Sequence, residues 1–498
     1  MIAREAMLSG ADAGADFVVI GGGATGAGVA WEAASRGLRV VLLEARDFGA
    51  GTSSRSTKLI HGGVRYLAQG RLGLVREALR ERALLHRNAP ELVRALRFVV
   101  PVVGWRERCR FRAGLAAYDL LAGRDAFPRS TWLSRTALET LVPGLRPGTF
   151  MGGVSFHDGQ FDDTALLFAV LEAACADGAR CINYAEVTGV LKRADGRVCG
   201  VRYRDRESGR EHEVRAARVV NATGPAAASV LRMDSPANGP PLRLSRGSHL
   251  VIGREFLGGD SALLMPRVDD GRVMFAIPWM GHTLLGTTDI AADSCEAEPV
   301  PTAGEISVLL ETAARYLRRS PTRRDVSAAF CGIRPLAGNP GARTAQVSRE
   351  HSMHRTDSGL VTVVGGKWTT FRRMAVDIVD FALHGSGLTA GASGTAGATL
   401  RAPHAAAAAK GPPSPALPGV DLTEDGVRHA VRHAMARRTE DVLARRCRAL
   451  FLDARSALAA APRVAAIVGE ELGRDPAQIA TDLAEFQQLA ARYIVAPA

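Results

Sequence analysis

Four short segments of the 498-residue chain carry side chains able to do chemistry beside a glycine or proline that constrains the backbone. In chain order they are Arg65-Tyr66, Gly247-Ser248-His249, Gly332-Ile333-Arg334-Pro335 and Gly365-Gly366-Lys367. The imidazole of His249 could act as a general base, because a histidine titrates near neutrality. Arg334, whose backbone is held extended by Pro335, could stabilise the oxyanion left behind. Taken singly, each residue is explained as well by an ordinary strand histidine or a surface cation, so a scaffold must unite them.

A nucleotide-binding fingerprint near the start of the chain supplies such a scaffold. It comprises the largely apolar run 16–20, the turn Gly21-Gly22-Gly23-Ala24-Thr25-Gly26, a second largely apolar run 38–43, and Glu44. Gly21 allows a tight turn from strand to helix, Gly23 lets the backbone approach a pyrophosphate, and Gly26 lets the helix pack on the strand. The helix amides then face phosphates, and Glu44 can accept hydrogen bonds from ribose hydroxyls. The pattern predicts a dinucleotide site, for NAD or FAD.

The residues after Glu44 favour FAD. The chain does not continue into further strand and helix units but into a polar loop of small residues, 49–57, and then Lys58-Leu59-Ile60-His61. Such a loop offers hydroxyls and unhindered amides to a ligand lying over it. Two later strands also end in glycines, at Asn221-Ala222-Thr223-Gly224 and at Gly365-Gly366-Lys367, where a helix follows and directs its positive end at the ligand. We therefore expect one FAD site built from three separated stretches.

Residues 16–67 resemble the opening of the family of FAD-dependent, aerobic-type glycerol-3-phosphate dehydrogenases, within the D-amino-acid-oxidase-like flavoproteins. Residues 444–455 resemble the C-terminal cap of the same family, so the resemblance covers nearly the whole chain. It implies oxidation of sn-glycerol 3-phosphate to dihydroxyacetone phosphate by hydride transfer to flavin N5, with quinone as electron acceptor. The alternatives are an oxidase that uses oxygen, an FAD oxidoreductase of another 2-hydroxy substrate and, from another class, a basic flavoprotein that binds nucleic acid.

The resemblance also implies roles for individual residues. His249 and Arg334 are expected to be catalytic, and the proton acceptor is either His249 or a water bound to Arg334. Recognition of a phosphate dianion suits arginine forks, and the residues expected to bind substrate are Arg65, Tyr66, Arg349, Thr287 and Asp289. Those expected to bind FAD are Gly21, Gly23, Ala24, Thr25, Gly26, Glu44, Thr52, Ser53, Lys58, Leu59, His61, Val187, Thr223, Gly224, Gly332, Lys367, Trp368 and Thr369. No metal site is expected.

Composition narrows the class of protein. With 47% hydrophobic and 23% charged residues the chain is globular, and its length predicts two or three domains. The net charge of +12 favours anionic partners, although the sequence lacks the aromatic-interleaved basic ribbon typical of nucleic-acid binding. The seven cysteines form no CxxC pair, which indicates a reducing, cytoplasmic environment. The first 15 residues lack the pattern of a signal peptide, and no apolar run is long enough to span a membrane.

One segment, 105–121, mixes aromatic residues and leucines with four arginines. This composition suits an amphipathic element lying in an anionic membrane surface, and it equally suits a helix that packs between domains with a basic exposed face. Together with the family resemblance it favours peripheral attachment to the cytoplasmic face of the inner membrane, near the quinone. The sequence leaves the oligomeric state open between monomer and homodimer.

The predicted fold class is α/β, or α+β overall: a Rossmann-like FAD-binding domain, an inserted antiparallel β-sheet substrate domain and a C-terminal helical cap domain. The predicted boundaries are 16–90, 150–242 and 355–385 for the FAD-binding domain, 91–149 and 243–354 for the substrate domain, 386–419 for a linker and 420–498 for the cap. Periodicity predicts helices over 70–88, 164–177, 423–435, 439–460 and 476–493. It predicts a meander of strands at 180–183, 187–193, 197–204 and 211–215, and later strands at 248–252, 261–265, 272–279 and 283–285. The last two strands would be joined by a tight turn at Gly281-His282.

Overall fold

A computed structural model describes residues 4–9, 11, 14–68, 70–123, 127–235, 242–266, 273–338, 351–402 and 415–497. For Arg65 and Ala68 the description covers the backbone alone. Arg349, which was expected to bind substrate, lies outside the described residues. The described strands are β1 Ala15–Ile20, β2 Val40–Leu43, β3 Leu59–Ile60, β4 Val93–Val102, β5 Thr131–Ser134, β6 Gly152–Phe161, β7 Arg180–Ile182, β8 Ala185–Lys192, β9 Val198–Asp205, β10 Glu211–Asn221, β11 Leu242–Gly253, β12 Ala262–Met265, β13 Met274–Trp279, β14 His282–Gly286, β15 Ile290–Ala292, β16 Val326–Ala337, β17 His351–Arg355 and β18 Val361–Gly365.

The helices alternate with these strands in the first half of the chain and follow them at its end. They are α1 Arg4–Ser9, α2 Ala24–Ser35, α3 Val64–Ala68, α4 Leu72–Asn88, α5 Trp105–Ala122, α6 Arg135–Leu141, α7 Asp163–Ala176, α8 Ala227–Asp234, α9 Ala303–Tyr316, α10 Phe371–Leu383, α11 Glu424–His433, α12 Ala449–Leu452, α13 Ala454–Leu472 and α14 Pro476–Ala491. In the described part of the chain no helix is both long and apolar enough to cross a membrane.

The first sheet has a parallel core in the order β18, β10, β1, β2, β7, with β17 antiparallel at one edge. From Phe17 to the end of β1, and along the whole of β2, the residues are apolar and buried, as strands covered on both faces must be. α2 and α7 pack together, and α10 packs on α2. This arrangement confirms the predicted Rossmann-like sheet. It also places the carboxyl ends of β1, β10 and β18 at a common edge, where ligands of such sheets bind.

The predicted meander is shorter than expected. β7 is not part of it, because Arg180–Ile182 pairs parallel with β2 in the first sheet. The antiparallel strands are β8, β9 and the first half of β10. β10 then continues without interruption into the first sheet, where its second half pairs with β1.

The second sheet is mostly antiparallel and is centred on β11, which pairs with β16 along its whole length and with β14 and β15 on its other side. β12 pairs antiparallel with β13 and parallel with β4. The pairing with β4 is the one parallel pairing in the described part of this sheet. β3 and β6 also belong to it, although both fall in ranges that the sequence assigned to the FAD-binding domain. The other domain boundaries stay a prediction. The turn between β13 and β14 is Met280-Gly281, one residue earlier than predicted, because Trp279 pairs with His282.

The C-terminal helices differ from the prediction in one place. Instead of the expected continuous helix over 439–460, the chain forms a π-helix over Asp441–Arg446, then α12 and α13, with breaks at Arg448, which has a left-handed backbone, and at Asp453. The side chain of Asp453 accepts hydrogen bonds from the amides of Arg455 and Ser456 and so begins α13. This capping interaction accounts for the break at Asp453. The hydrophobic spacing of the sequence gives no sign of it. Of the predicted linker, residues 386–402 pack on the core around the first sheet, where the Leu400 amide donates to the Asn88 carbonyl at 2.7 Å, whereas Leu417 packs with the C-terminal helices.

Candidate functional site

A cavity of about 1080 Å³ runs from the edge of the first sheet to the face of the second. At one end its wall is formed by the glycine turn after β1 and by Glu44. At the other end it is formed by side chains of β11 and β16, including His249 and Arg334. The nucleotide fingerprint and the residues suited to acid–base chemistry therefore share one cavity.

The glycine turn is shaped by close backbone contacts. Gly21 has a φ of +107°, and a β-carbon there would lie 2.8 Å from the Ala222 carbonyl oxygen of the neighbouring strand. A β-carbon on Gly26 would lie 1.8 Å from the Gly21 carbonyl oxygen, so only glycine lets α2 approach β1 this closely. Gly26 does not line the cavity. Its contribution is packing, whereas Gly21, Gly23, Ala24 and Thr25 form the wall itself.

Glu44 is fixed in place at the end of β2. One carboxylate oxygen accepts from the Gly22 amide at 2.6 Å, and the other accepts from the Arg46 amide at 2.9 Å. The carboxylate still lines the cavity. It therefore presents oxygen lone pairs where the ribose of a dinucleotide is expected.

The polar loop is tied to the two other cofactor stretches. Ser53 accepts from the Ala24 amide through its hydroxyl at 2.9 Å and from the Trp368 indole through its carbonyl at 2.9 Å. The Thr52 hydroxyl donates to the carbonyl of Ile333 on β16. Thr369 accepts from the His61 amide at 3.1 Å. Thr52, Ser53, Leu59, His61, Trp368 and Thr369 all line the cavity, as does Gly332.

The prediction that Lys58 contacts the cofactor is wrong for its side chain. The ammonium is fully buried away from the cavity, 2.6 Å from an Asp163 oxygen and 2.7 Å from the Ser54 carbonyl. It lies over the rings of Trp279, Phe330 and Phe451, between 5.1 and 5.6 Å from their centroids. Burial, reinforced by the nearby charge of Arg448, lowers the pKa of Lys58 to about 7. A lysine beside glycines suggested a ligand, but a buried carboxylate from α7 holds it instead.

Another part of the cavity wall is formed by residues that lie on or just after β8, β10 and β18. Val187 lies on β8, and Thr223 and Gly224 follow β10; all three line the cavity. The Thr223 hydroxyl donates to the Asn221 side chain at 2.7 Å, which fixes the end of β10. Beyond β18, the Lys367 ammonium lies 5.0 Å from the centroid of the Tyr66 ring. Lys367 and Tyr66 both face the cavity and form a cation–π pair.

His249 lies on the second sheet with its imidazole stacked on Phe330, the ring centroids 4.9 Å apart. Its side chain is almost entirely covered, and Nε2 lies 3.0 Å from the Thr57 hydroxyl. Nδ1 is buried and has no hydrogen-bond partner among the described residues. Burial, with the charges of Arg334 and Lys58, holds the pKa of His249 well below its usual range. The ring is therefore neutral at neutral pH and able to accept a proton.

Arg334 lies two pairs along the same face of β16 from Phe330. Its guanidinium donates to the Thr287 hydroxyl at 3.0 Å and the Thr288 carbonyl at 3.3 Å, and lies 3.7 Å from a carboxylate oxygen of Asp289. A β-carbon on Gly247 would lie 2.1 Å from it, so the glycine makes room for the cation. Asp289 in turn accepts from the Ser245 hydroxyl. Arg334, Thr287 and Asp289 thus form one polar cluster on the cavity wall.

An apolar arm of the cavity was not anticipated. It lies between α5 and the second sheet and is lined by Phe98, Val100, Phe111, Leu115, Phe156, Leu264 and Phe275. These residues come from four different strands and one helix, so no local sequence signal unites them. Arg55 was also missed: its buried guanidinium bonds Glu298 at 2.5 Å at the edge of the cavity, yet arginine is too abundant in this chain to stand out.

The donor set of the cavity fits FAD. The glycine turn has no room for β-carbons, Glu44 faces the ribose position, and the polar loop contributes hydroxyls. The positive end of the helical segment after Lys367 and the polar cluster around Arg334 lie toward the second sheet. These features suit a long ligand with a pyrophosphate at one end and a polar ring at the other. The backbone of Arg65 lies in α3, next to Tyr66, and its predicted role stays a prediction, as does that of Arg349.

Comparison with known families agrees with this geometry. Residues 16–372 match the family model described as FAD dependent oxidoreductase. Residues 397–479 match the family model described as the C-terminal domain of alpha-glycerophosphate oxidase.

Similar sequences include the mitochondrial glycerol-3-phosphate dehydrogenase of Mus musculus, 41% identical over 78% of this chain and 55% of that protein. The mitochondrial glycerol-3-phosphate dehydrogenase of Schizosaccharomyces pombe is 39% identical over 73% of this chain and 60% of that protein. The chain thus spans little more than half the length of these relatives. A solved structure of the glycerol-3-phosphate dehydrogenase from Bacillus halodurans complexed with FAD superposes with a TM-score of 0.78 at 25% identity, covering 99% of this chain and 97% of that one. The FAD-bound L-alpha-glycerophosphate oxidase from Mycoplasma pneumoniae shares the fold, with a TM-score of 0.61 at 17% identity over 78% and 99% of the two chains.

Proposed function

Because the chain belongs to the family of FAD-dependent oxidoreductases, we propose that it oxidises sn-glycerol 3-phosphate to dihydroxyacetone phosphate and passes the electrons to a quinone. The observation that carries the proposal is the shared cavity, which joins a dinucleotide cradle to a neutral, buried histidine and an arginine cluster. The sequence identity of 39–41% to proteins named glycerol-3-phosphate dehydrogenase supports glycerol 3-phosphate as the substrate.

The residues that would hold FAD are those of the glycine turn, Glu44, Thr52, Ser53 and the segment after Lys367. When bound, FAD supplies the acceptor for the hydride that leaves the alcohol carbon. Lys367, paired with Tyr66, and the amides that follow it provide positive potential at this end of the cavity.

His249 and Arg334 divide the remaining work. His249 is neutral, so it can take the hydroxyl proton that must leave with the hydride. Arg334 can hold the substrate oxygen as negative charge develops on it, and its contacts with Thr287 and Asp289 keep the guanidinium in a fixed direction. Arg65 and Arg349 are proposed to bind the phosphate group, because two arginines match the charge of a dianion.

A quinone acceptor is supported by the apolar arm of the cavity. Four phenylalanines line this arm. They offer no polar contact to a small, doubly charged substrate, whereas a quinone ring can pack against them. The arm is roofed by α5, whose exposed side carries Trp105 and Leu120, 66% and 82% exposed, together with Arg112. At 3.6 residues per turn these three lie within about 80° of each other around the helix. We propose that this side rests on the anionic cytoplasmic surface of the inner membrane.

Anaerobic flavin bleaching tests the proposal. We expect sn-glycerol 3-phosphate to bleach the near-ultraviolet and blue absorption bands of the purified holoprotein, while its enantiomer and a panel of 2-hydroxy acids bleach them far more slowly. A quinone analogue should then restore the bands faster than air does. Faster reoxidation by air would identify an oxidase, and bleaching by another 2-hydroxy compound alone would replace the substrate. Salt-dependent nucleic-acid binding without any bleaching would overturn the enzyme assignment.

A further inference from the structure

The histidine proposed as base lines the cavity but is almost completely covered by its neighbours. His249 is 1% exposed, and its Nδ1 is buried without a hydrogen-bond partner among the described residues. The other ring nitrogen, Nε2, lies 3.0 Å from the Thr57 hydroxyl. Nδ1 is therefore inaccessible, and Nε2 is already engaged by a hydroxyl group.

Thr57 itself faces the cavity and is partly exposed there. Its hydroxyl can accept one hydrogen bond and donate another at the same time. It therefore stands where a substrate oxygen would have to be to reach Nε2 directly.

We propose that the Thr57 hydroxyl relays the substrate's hydroxyl proton to Nε2 of His249. The proposal rests on the alcohol oxidation put forward above. The substrate O–H bond breaks and its proton bonds to the Thr57 oxygen, while the proton already on that oxygen moves to Nε2. The carbon's hydrogen leaves with both bonding electrons for the bound cofactor, and the carbon–oxygen bond becomes a carbonyl. Thr57 ends unchanged, and His249 has gained one proton.

The backbone on both sides of Thr57 is anchored to one buried carboxylate. The hydroxyl of Ser56 donates to Asp163 at 2.7 Å, and the ammonium of Lys58 donates to the same oxygen at 2.6 Å. Asp163 is fully buried and its position is fixed by α7. A relay needs a hydroxyl held at hydrogen-bond distance throughout the reaction, and this double anchor limits the movement of the segment that carries it.

Replacing Thr57 by valine removes the hydroxyl and keeps the shape of the side chain. We expect Thr57→Val to slow anaerobic flavin reduction by about 100-fold or more, in the range of general acid–base catalysis. Thr57→Ser retains a hydroxyl and should stay within about tenfold of the wild type. The matched control is Thr283→Val on β14, since the Thr283 hydroxyl is buried, has no partner among the described residues and does not line the cavity. That variant should reduce its flavin at the wild-type rate.

Two measurements separate a relay from a structural role. With two protons in flight, the rate in mixtures of light and heavy water should follow a curved dependence in the wild type and in Thr57→Ser. Substrate affinity and FAD affinity should be unchanged in Thr57→Val, so that only the rate of reduction falls. Selective ¹⁵N-histidine spectra of the substrate-free protein should show a shifted Nε2 signal in Thr57→Val, whatever the substrate proves to be.

The relay is overturned if Thr57→Val reduces its flavin within about threefold of the wild type, or if the Nε2 signal does not move. Failure of the wild type to respond to glycerol 3-phosphate would overturn the proposed substrate alone. The same comparison of variants would then be made with the compound of the panel that bleaches the flavin.

Discussion

At the scale of single residues, strand alternation builds the face of the second sheet that carries His249 and Arg334. Ser245, Gly247 and His249 occupy every second position of β11 and therefore point to one side of the sheet. Directly opposite on β16 stand Arg334, Gly332 and Phe330. Gly247 and Gly332 lie between His249 and Arg334, so the sheet surface between these two side chains is bare backbone. A flat ring lying there would contact backbone rather than side chains.

His249→Asn tests the role of the base. Asparagine keeps a polar group of similar size but cannot take up a proton, so flavin reduction should slow by roughly 100-fold or more while substrate affinity changes little. Because the pKa of His249 lies well below its usual range, the neutral ring is present throughout the neutral range. The wild-type rate of reduction should therefore stay level with falling pH and decline only well below the usual histidine pKa of about 6.5.

Stopped-flow absorbance at each pH provides this measurement. A variant that reduces its flavin as fast as the wild type would transfer the role to a water bound to Arg334. His61 offers a second imidazole at the cavity wall. Retention of a pH-dependent limb in His249→Asn would point to that residue.

Residues with a distinctive local context were predictable, and residues defined by tertiary contacts were not. His249, Arg334 and Glu44 stand beside glycines or at strand ends, and the structure brings all three to the cavity. Lys58 had an equally distinctive context, but its partner Asp163 lies more than a hundred positions away in sequence and faces it only after folding. Thr57 is one of several hydroxyl residues in a polar loop, and nothing local distinguishes it from Ser56.

At the scale of elements, α5 combines two functions in the proposed enzyme. Its inner side, with Phe111 and Leu115, closes the apolar arm, while its outer side carries exposed arginines. A helix placed between a cavity and solvent in this way can couple membrane contact to acceptor access without crossing the bilayer.

Charge reversal on α5 tests the membrane contact. The double variant Arg106→Glu, Arg112→Glu should lose affinity for anionic vesicles by more than about tenfold, since each basic residue near such a surface contributes roughly 1 kcal/mol. Flavin reduction by substrate should be unchanged, because neither residue lines the cavity. Cosedimentation with anionic and with neutral vesicles provides the measurement.

The matched control reverses the same number of charges on β9, with Arg202→Glu, Arg204→Glu, where both arginines are also exposed. Equal loss of vesicle binding in both variants would mean that overall net charge, and not α5, attracts the membrane.

Most elements followed from periodicity, and the exceptions have identifiable causes. The helices over 72–88 and 163–176 were predicted within two residues, because their apolar spacing is regular and Asp162 caps the second one. β7 was assigned to the meander because a three-residue strand shows its own pattern but not its neighbour. The breaks at Arg448 and Asp453 come from a left-handed residue and a side-chain cap that compete with continuous helix.

At the scale of the whole molecule, buried arginines join the C-terminal helices to the segment between Glu44 and Lys58. Arg445 and Arg446 both bind Asp47, which is fully buried near the end of β2. Arg448 donates to the Ser54 carbonyl at 2.8 Å and lies 3.4 Å from Asp163. The segment between Glu44 and Lys58 is therefore held from behind near both its ends.

Arg448→Met should weaken FAD binding. Loss of a buried, charged hydrogen bond costs roughly 1.5 to 3 kcal/mol, so the FAD dissociation constant should rise by about tenfold or more. The melting temperature should also fall, and excess FAD should restore part of it by mass action. Flavin fluorescence titration of the apoprotein measures the first effect, and thermal unfolding measures the second.

The control is Arg463→Met on α13, where an exposed arginine pairs with Glu424 far from the loop. If Arg448→Met and this control bind FAD equally tightly, the contacts of the C-terminal helices with the segment between Glu44 and Lys58 do not contribute to FAD binding.

β10 joins the meander to the first sheet. Its residues 211–215 pair with β9 in the meander and residues 216–221 pair with β1 beside the cofactor edge, within one unbroken strand. Because side chains alternate along a strand, a slip of one residue would turn both halves inside out together. The meander is therefore not a cassette that protein engineers could delete or exchange. Any replacement would have to deliver the chain to Asn221 in the same phase, or the turn at Thr223 and Gly224 would face away from its ligand.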